Sequence, residues 1–298
     1  MKYKANGIVL ARLDGGLGNQ MFQYAAARAE AIRSGRELIL DPRPIAARRP
    51  DRRYALAAFN TAGRLVSPSE RLLSRAATGA RVPGIVRQAV QRVSGRSWQL
   101  ARDPEAAAGE YCQPELDNLI LEGHWQSLRW FNDQEAAIRS DFRFKTDLPA
   151  VFAFWAARIQ SADSIAVHVR RGDYVSDAQA AAVHGTLPPS YYAEAANKLR
   201  SLGIGPQFFI FSDDPDWAEA HLQLPEPVSV VRCPADAADH ESLRLMTLCR
   251  HAIIANSTFS WWGAWLAEQP GQVVVAPRQW FRAREAPDSL FPPSWLLI

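Results

Sequence analysis

One octapeptide concentrates the chemistry available to this chain: Val167-His168-Val169-Arg170-Arg171-Gly172-Asp173-Tyr174. Guanidinium groups are planar forks that match phosphate and carboxylate oxygens. The preceding run, Ser164-Ile165-Ala166-Val167, is apolar and β-branched and reads as a buried strand. His168, Arg170 and Arg171 therefore fall at a strand's carboxyl end, where open α/β sheets bind ligands. Alternation along a strand puts His168 and Arg170 on one face and Arg171 on the other. The expected arrangement has one arginine forking phosphate oxygens while the other braces the turn through Asp173. The plainer reading is a charge cluster paired with its own aspartate.

Two further junctions carry polar groups at the end of a strand. Gly7-Ile8-Val9-Leu10-Ala11-Arg12-Leu13 runs into Asp14-Gly15-Gly16-Leu17-Gly18-Asn19-Gln20, and a helix-forming stretch follows from Met21 to Glu30. A dinucleotide fingerprint fails here, because Met21 stands where its third glycine belongs, and no Gly-Lys-Ser/Thr ending makes a P-loop. What remains is a tight turn presenting Asn19 and Gln20, whose amides suit sugar hydroxyls. In the second junction, Ala252-Ile253-Ile254-Ala255 delivers Asn256-Ser257-Thr258-Phe259-Ser260 to a helix opening at Trp261-Trp262. Hydroxyls and N–H groups at a helix start suit an anion such as a diphosphate. Of the tryptophans, Trp261 is expected near ligand and Trp265 in the core.

Asp214-Pro215-Asp216 has the form of a metal-binding Asp-x-Asp, but proline opening a helix makes Asp214 an N-cap instead. No metal site is expected. Cys112, Cys233 and Cys249 lack metal or disulfide spacing and read as reduced thiols.

The elements that must position these residues alternate strand and helix throughout, so the fold class is α/β. With 48% hydrophobic and 22% charged residues the chain buries a globular core. A boundary is expected near Lys145 to Pro149, giving domains 1–148 and 149–298. No stretch approaches a spanning helix, and Ile8-Val9-Leu10 is too short for a signal peptide, so the expected location is cytoplasmic. The net charge of +3 is uneven: thirteen arginines between Arg43 and Arg102 face only Asp51 and Glu70. That excess raises a surface role rather than a nucleic-acid one, and the stretch 43–108 reads as a helical insertion.

Together, Gly15 to Tyr24, the His168 to Tyr174 block, Phe211-Ser212-Asp213-Asp214 and Asn256 to Trp265 resemble the bacterial α-1,2-fucosyltransferases of glycosyltransferase family 11. The resemblance implies a GT-B-like fold, two Rossmann-like domains with parallel sheets facing a cleft. It implies an inverting, metal-independent enzyme without cofactor, moving L-fucose from GDP-fucose to the 2-hydroxyl of a galactose-type residue. Carried over, Arg170 holds the β-phosphate and stabilises the leaving charge, with His168 near the nucleotide. Ser257, Thr258, Phe259 and Ser260 wrap the diphosphate, and Arg171, Asp173, Ser212, Asp213, Asn256 and Trp261 complete the donor side. Gly16, Gly18, Asn19 and Gln20 form the acceptor side, with Asp14 as the base. An acidic residue reads guanine, and Asp213, Asp214 and Glu241 all remain open for that role. Two alternatives stand beside this: another GDP-sugar or linkage on the same fold, and a non-catalytic nucleotide or glycan receptor.

The resemblance does not reach the arginine-rich stretch. Ser67-Pro68-Ser69-Glu70 has the form of a capping box, so a helix should start there. Leu72, Leu73, Ala76, Ala77 and Ala80 then form one apolar stripe, and Ile85, Val86, Ala89, Val90 and Val93 a second. The plain reading is two helices packed on the first domain. The sharper one is peripheral contact with the inner face of a membrane, where the glycan acceptor would be lipid-linked.

Overall fold

The computed structural model describes residues 7–48, 52–78, 83–85, 89, 97–104, 118–205, 207–234, 236–267 and 269–298. The chain forms two compact units that divide between Lys145 and Thr146. Lys145 belongs to the first because its N–H and its ammonium bond the carbonyls of Ala58 and Ala57.

In the first unit, β1 (Ile8–Arg12) leads through α1 (Leu17–Ser34) to β2 (Glu37–Asp41), then α2 (Arg43–Arg48), β3 (Arg64–Leu65) and α3 (Pro68–Thr78). The strands β4 (Trp98–Arg102) and β5 (Asn118–Glu122) and the helix α4 (Glu135–Asp141) complete it. The parallel sheet has the order β3-β2-β1-β5-β4. Leu10 of the central strand lies opposite Ile39 on one side and Ile120 on the other. These three, with Ile8, Val66 and Trp98, make a core against which Leu73 and Leu100 pack. Helix α1 is buried over most of its circumference and ends at Gly35 (φ 65°), a left-handed position that suits glycine.

The stretch 43–108 is thus not a helical insertion alone. It supplies β3 and β4, the two edge strands of the sheet. Edge strands are short or half exposed, so their apolar alternation is weak, and arginine-rich surroundings hide it further. The capping box forms, with the Ser67 N–H donating to Glu70 Oε2 at 2.9 Å and the Glu70 N–H to Ser67 Oγ at 3.3 Å. The first stripe splits: Leu73 turns to the core, whereas Leu72 is 70% exposed. Of the second stripe only exposed Ile85 and Ala89 lie within the described residues.

The second unit runs α5 (Ala153–Gln160), β6 (Ser164–Val169), α6 (Gly172–Ser176), α7 (Ala178–Val183), α8 (Pro189–Ser201), β7 (Gln207–Ser212), α9 (Pro215–His221) and β8 (Val228–Val230). It continues with α10 (Asp239–Thr247), β9 (His251–Ile253), α11 (Thr258–Ala267), β10 (Val274–Ala276) and β11 (Leu296–Leu297). Its parallel sheet has the order β11-β10-β9-β6-β7-β8. This is the doubly wound order, with the direction of winding reversing between β6 and β9, where such sheets bind ligands. Every residue of β6 is buried. Ile165, Val167 and Val169 face one way, onto Tyr191, Tyr192, Ala195 and Leu199 of α8. Burying such side chains stabilises by about 1.5–3 kcal/mol each, so the strand end is held firmly. Helix α8 starts at Pro189 after Pro188, with Ser190 in its first turn. Cys249 is buried, Cys233 is half-buried, and Cys112 lies outside the described residues.

Candidate active site

The octapeptide sits at the reversal point. Arg170 follows the end of β6 and turns its guanidinium to two carboxylates: Nη2 donates to Asp173 and Nη1 pairs with Asp213 Oδ2 at 2.7 Å. The Tyr174 ring lies 5.6 Å from its central carbon. Burial disfavours the charge, but Asp213 and Asp173 outweigh it and raise the pKa. Arg171 points the other way, as alternation requires. Its Nε donates to Asp214 Oδ2 at 3.0 Å, and its guanidinium stacks 3.8 Å above Trp217. The brace through Asp173 is therefore made by Arg170, while Arg171 is committed to β7 and α9.

Asp213 ties the turn twice, since its Oδ1 also accepts the Arg171 N–H at 2.8 Å. A side chain at residue 172 would meet Asp213 Oδ2 at 2.5 Å, so glycine is required there for close approach. Asp214 caps α9 through Trp217 N–H, and Asp216 pairs with Arg232. The Ser212 hydroxyl accepts the Asp214 N–H at 3.0 Å and so braces the turn. Glu241 is buried against His240 and Arg244, with Oε2 accepting no hydrogen bond. Among the described residues no group of three or more His, Cys, Asp or Glu is placed to hold a metal.

His168 is 5% exposed and lies on the face opposite α8, with its ring 5.5 Å from that of Phe259. Burial and the neighbouring Arg170 hold its pKa down at about 3, so it is a neutral imidazole. Its Nδ1 accepts or donates no hydrogen bond within the protein.

The loop after β9 faces the same edge but its residues divide. Thr258 and Phe259 are half exposed in the first turn of α11, where helical N–H groups lack intrahelical acceptors. Ser257 is buried, and its carbonyl accepts the Trp261 N–H. The Ser260 hydroxyl is wholly buried and donates to the carbonyls of Ala255 and Ser257, closing the corner instead of reaching a ligand. Trp261 is a correction of the same kind. It is 0% exposed, donates to the Leu290 carbonyl at 3.0 Å and packs among Trp262, Trp265 and Trp295. Helical spacing cannot tell which of three tryptophans faces outward, and none does. Asn256 Nδ2 donates to the carbonyls of His184 and Gly185, which makes it a latch for the loop beyond α7.

Sequence reasoning quoted Tyr174 but gave it no role. Its hydroxyl donates to the Asn256 carbonyl at 3.0 Å, and its ring stacks on His184 at 4.9 Å. The latch, the loop and the wall beside Arg170 are thus one construction.

In the first unit, α1 begins at Leu17 with Gly16 as its N-cap, so Gly18, Asn19 and Gln20 lie in the first helical turn and not in a loop. Successive helical residues point in different directions, which separates Asn19 from Gln20. Gln20 is buried and spent on the protein, donating to the carbonyls of Gly15 and Arg53 and accepting the Ala55 N–H. Gly18 is buried as well. Asn19 remains half exposed and accepts from Gln126 Nε2 at 3.1 Å. Asp14 is half exposed, with Oδ1 accepting the Gly15 N–H and its own N–H given to Gln23.

An α/β protein with an arginine at the reversal point and a helix start on the next strand belongs to the class that handles phosphorylated ligands. The Glycosyl transferase family 11 model matches residues 122–298. An Escherichia coli O-antigen biosynthesis glycosyltransferase, WbnK, is 33% identical, over 90% of this chain and 93% of the relative. An Escherichia coli alpha-1,2-colitosyltransferase is 30% identical, over 93% of this chain and 94% of the relative. The chain belongs to glycosyltransferase family 11, and it is a glycosyltransferase. In fold it is similar to the crystal structure of fucosyltransferase NodZ from Bradyrhizobium, with a TM-score of 0.53 at 18% identity, covering 87% of this chain and 92% of that one. The fold is GT-B-like.

Proposed function

We propose that the chain transfers L-fucose from GDP-fucose to the 2-hydroxyl of a galactose-type residue of a glycan, with inversion. The observation that carries the reading is Arg170, a half-buried cation at the reversal point beside the α11 helix start. Leaving GDP gathers negative charge on its β-phosphate while the sugar becomes oxocarbenium-like. Arg170 and the first-turn N–H groups of α11 are the groups that offset that charge, and such preorganised donors act strongly in a water-poor site. The acceptor oxygen attacks the anomeric carbon from the opposite face as the bond to phosphate breaks, and its proton passes to a base. Asp14 is the carboxylate proposed for that step, with no metal or cofactor taking part. Asp213 and Asp214 each accept through both oxygens, whereas Glu241 Oε2, 3.4 Å from Arg244, accepts no hydrogen bond, so Glu241 is the acid proposed to meet guanine.

The relatives support the chemistry from two sides: one is named an alpha-1,2-colitosyltransferase, and a NodZ crystal was soaked with GDP-fucose. Colitose is the 3-deoxy counterpart of L-fucose, so the second reading changes the donor sugar and keeps the linkage. Incubation with GDP-fucose or GDP-colitose and a panel of galactose-terminated acceptors, with products read by mass, separates the two. Absence of product and of GDP release from both donors would sink the proposal.

Peripheral membrane contact is proposed separately on exposed Leu65, Leu72 and Ile85 together with exposed Arg75. Among the described residues no helix is long and apolar enough to cross a membrane. Co-sedimentation should favour anionic over neutral vesicles, and Arg75→Gln should weaken it. Equal binding to both vesicle types removes this contact.

A further inference from the structure

The carboxyl edge of the first sheet has its own polar construction, and most of it went unread in the sequence. Neighbouring strands β1 and β5 end side by side, Ala11 opposite Leu121, and their outgoing loops are tied together. Gln23 accepts the Asp14 N–H at 2.8 Å and donates to the Gly123 carbonyl at 3.0 Å. Next to this tie, Gln126 donates to Asn19 across the gap between the loops.

The loop after β5 is forced into an unusual path. Gly123 has φ 134°, and a Cβ there would collide with Asp103. Trp125 adopts φ 55°, a conformation that bulky residues rarely take. The Asp103 carboxylate accepts its N–H at 2.7 Å, and its ring is buried against Trp130 at 5.0 Å. Anchoring Trp125 inward leaves its neighbours, His124 and Gln126, directed away from the core: His124 is exposed and Gln126 half exposed. Gly15 opens the other side, since any side chain there would strike the Asn19 amide at 2.7 Å.

One side-chain acceptor in this construction is unanswered. Gln126 Oε1 is shielded from solvent and accepts no hydrogen bond. Buried polar atoms are ordinarily satisfied, so such an atom points to a donor that the chain itself does not supply. The nearby carboxylate is already occupied, because Glu122 is paired with Arg12 at 2.6 Å and lies 3.6 Å from Arg102. Two amides and an imidazole match the alternating donors and acceptors of a neutral sugar. They do not match a phosphate.

We propose that Asn19, His124 and Gln126 form the subsite for the terminal neutral sugar of the acceptor, with Gln126 Oε1 accepting one sugar hydroxyl. This rests on the transferase reading given above. It replaces Gln20 and Gly18, which are buried in α1, with residues from the loop after β5.

The test is ligand-observed NMR of the full chain with lactose as the probe, and GDP as the control for a folded protein. Gln126→Ala should weaken lactose roughly tenfold relative to GDP, the scale of one lost hydrogen bond to a buried group. His124→Ala, which removes no buried group, should weaken it in the same direction and guards against misfolding of the first variant. Lactose binding that is absent from the wild type, or equal in the wild type and both variants, overturns the subsite. Failure of the transferase reading would look different: no turnover of either GDP-sugar while lactose binding still depends on Gln126.

Discussion

The two sheet edges solve opposite problems with different residue types. At the second, Arg170, Arg171, Asp173, Asp213 and Asp214 interlock through ion pairs around a half-buried guanidinium. At the first, glutamine and asparagine amides join two loops, and the charged pair Arg12–Glu122 compensates itself. An ionic lattice can offset developing charge, whereas an amide lattice can only orient hydroxyls. The contrast teaches that two units built on the same parallel α/β plan can carry polar lattices of opposite character at their strand ends.

The comparison can be broken at several points. Arg170→Lys keeps the charge but loses the fork, and turnover should fall at least ~10²-fold, the scale of removing a transition-state donor. Near wild-type kcat would take Arg170 out of its role. Gln23→Ala leaves the Asp14 N–H and the Gly123 carbonyl without their partner and should cost about 1–3 kcal/mol in urea unfolding. A cost near zero would mean that the amide tie does not hold the first edge.

Protons test the second edge. His168 titrates near 3 in the fold against an ordinary 6.5, so the unfolded chain binds more protons between those values. Its share of stability is complete above pH 6.5 and is lost as pH falls toward 3. At pH 5 the loss is on the order of 2 kcal/mol, and His168→Gln should remove that part of the slope in acid titration of unfolding. An unchanged slope would show that His168 accepts a proton in the fold.

Gly172→Ala should displace Asp213 from Arg170 and reduce turnover roughly tenfold, because small misplacements of catalytic groups are costly. If the alanine variant turns over normally, the close approach of Asp213 is dispensable. The smallest effect is expected from EDTA, which should leave transfer unchanged. Loss on chelation with recovery in Mg²⁺ or Mn²⁺ would return Asp214 and Asp216 to consideration as metal ligands.

Much of this was legible because it is local. Alternation in Ser164 to Val169 fixes which way His168, Arg170 and Arg171 point, and Ser67-Pro68-Ser69-Glu70 and Asp214-Pro215 each fix a helix start. Less legible was anything that depends on two distant segments. Trp261 reads as a stacking residue until Leu290 and Trp295 close over it. Gln20 reads as exposed until the carbonyl of Arg53 and the N–H of Ala55 arrive.

The sequence by itself determined the α/β alternation, the family and the residue types gathered at each strand end, because strand and helix periods and capping act over a few neighbouring residues. Only tertiary structure decided which polar groups are spent on the protein and which remain for a ligand. Gln126 meets Asn19, and Asp213 meets Arg170, only after parallel strands far apart in the chain have paired. A hydrogen bond is satisfied by position in space, and no local pattern records it.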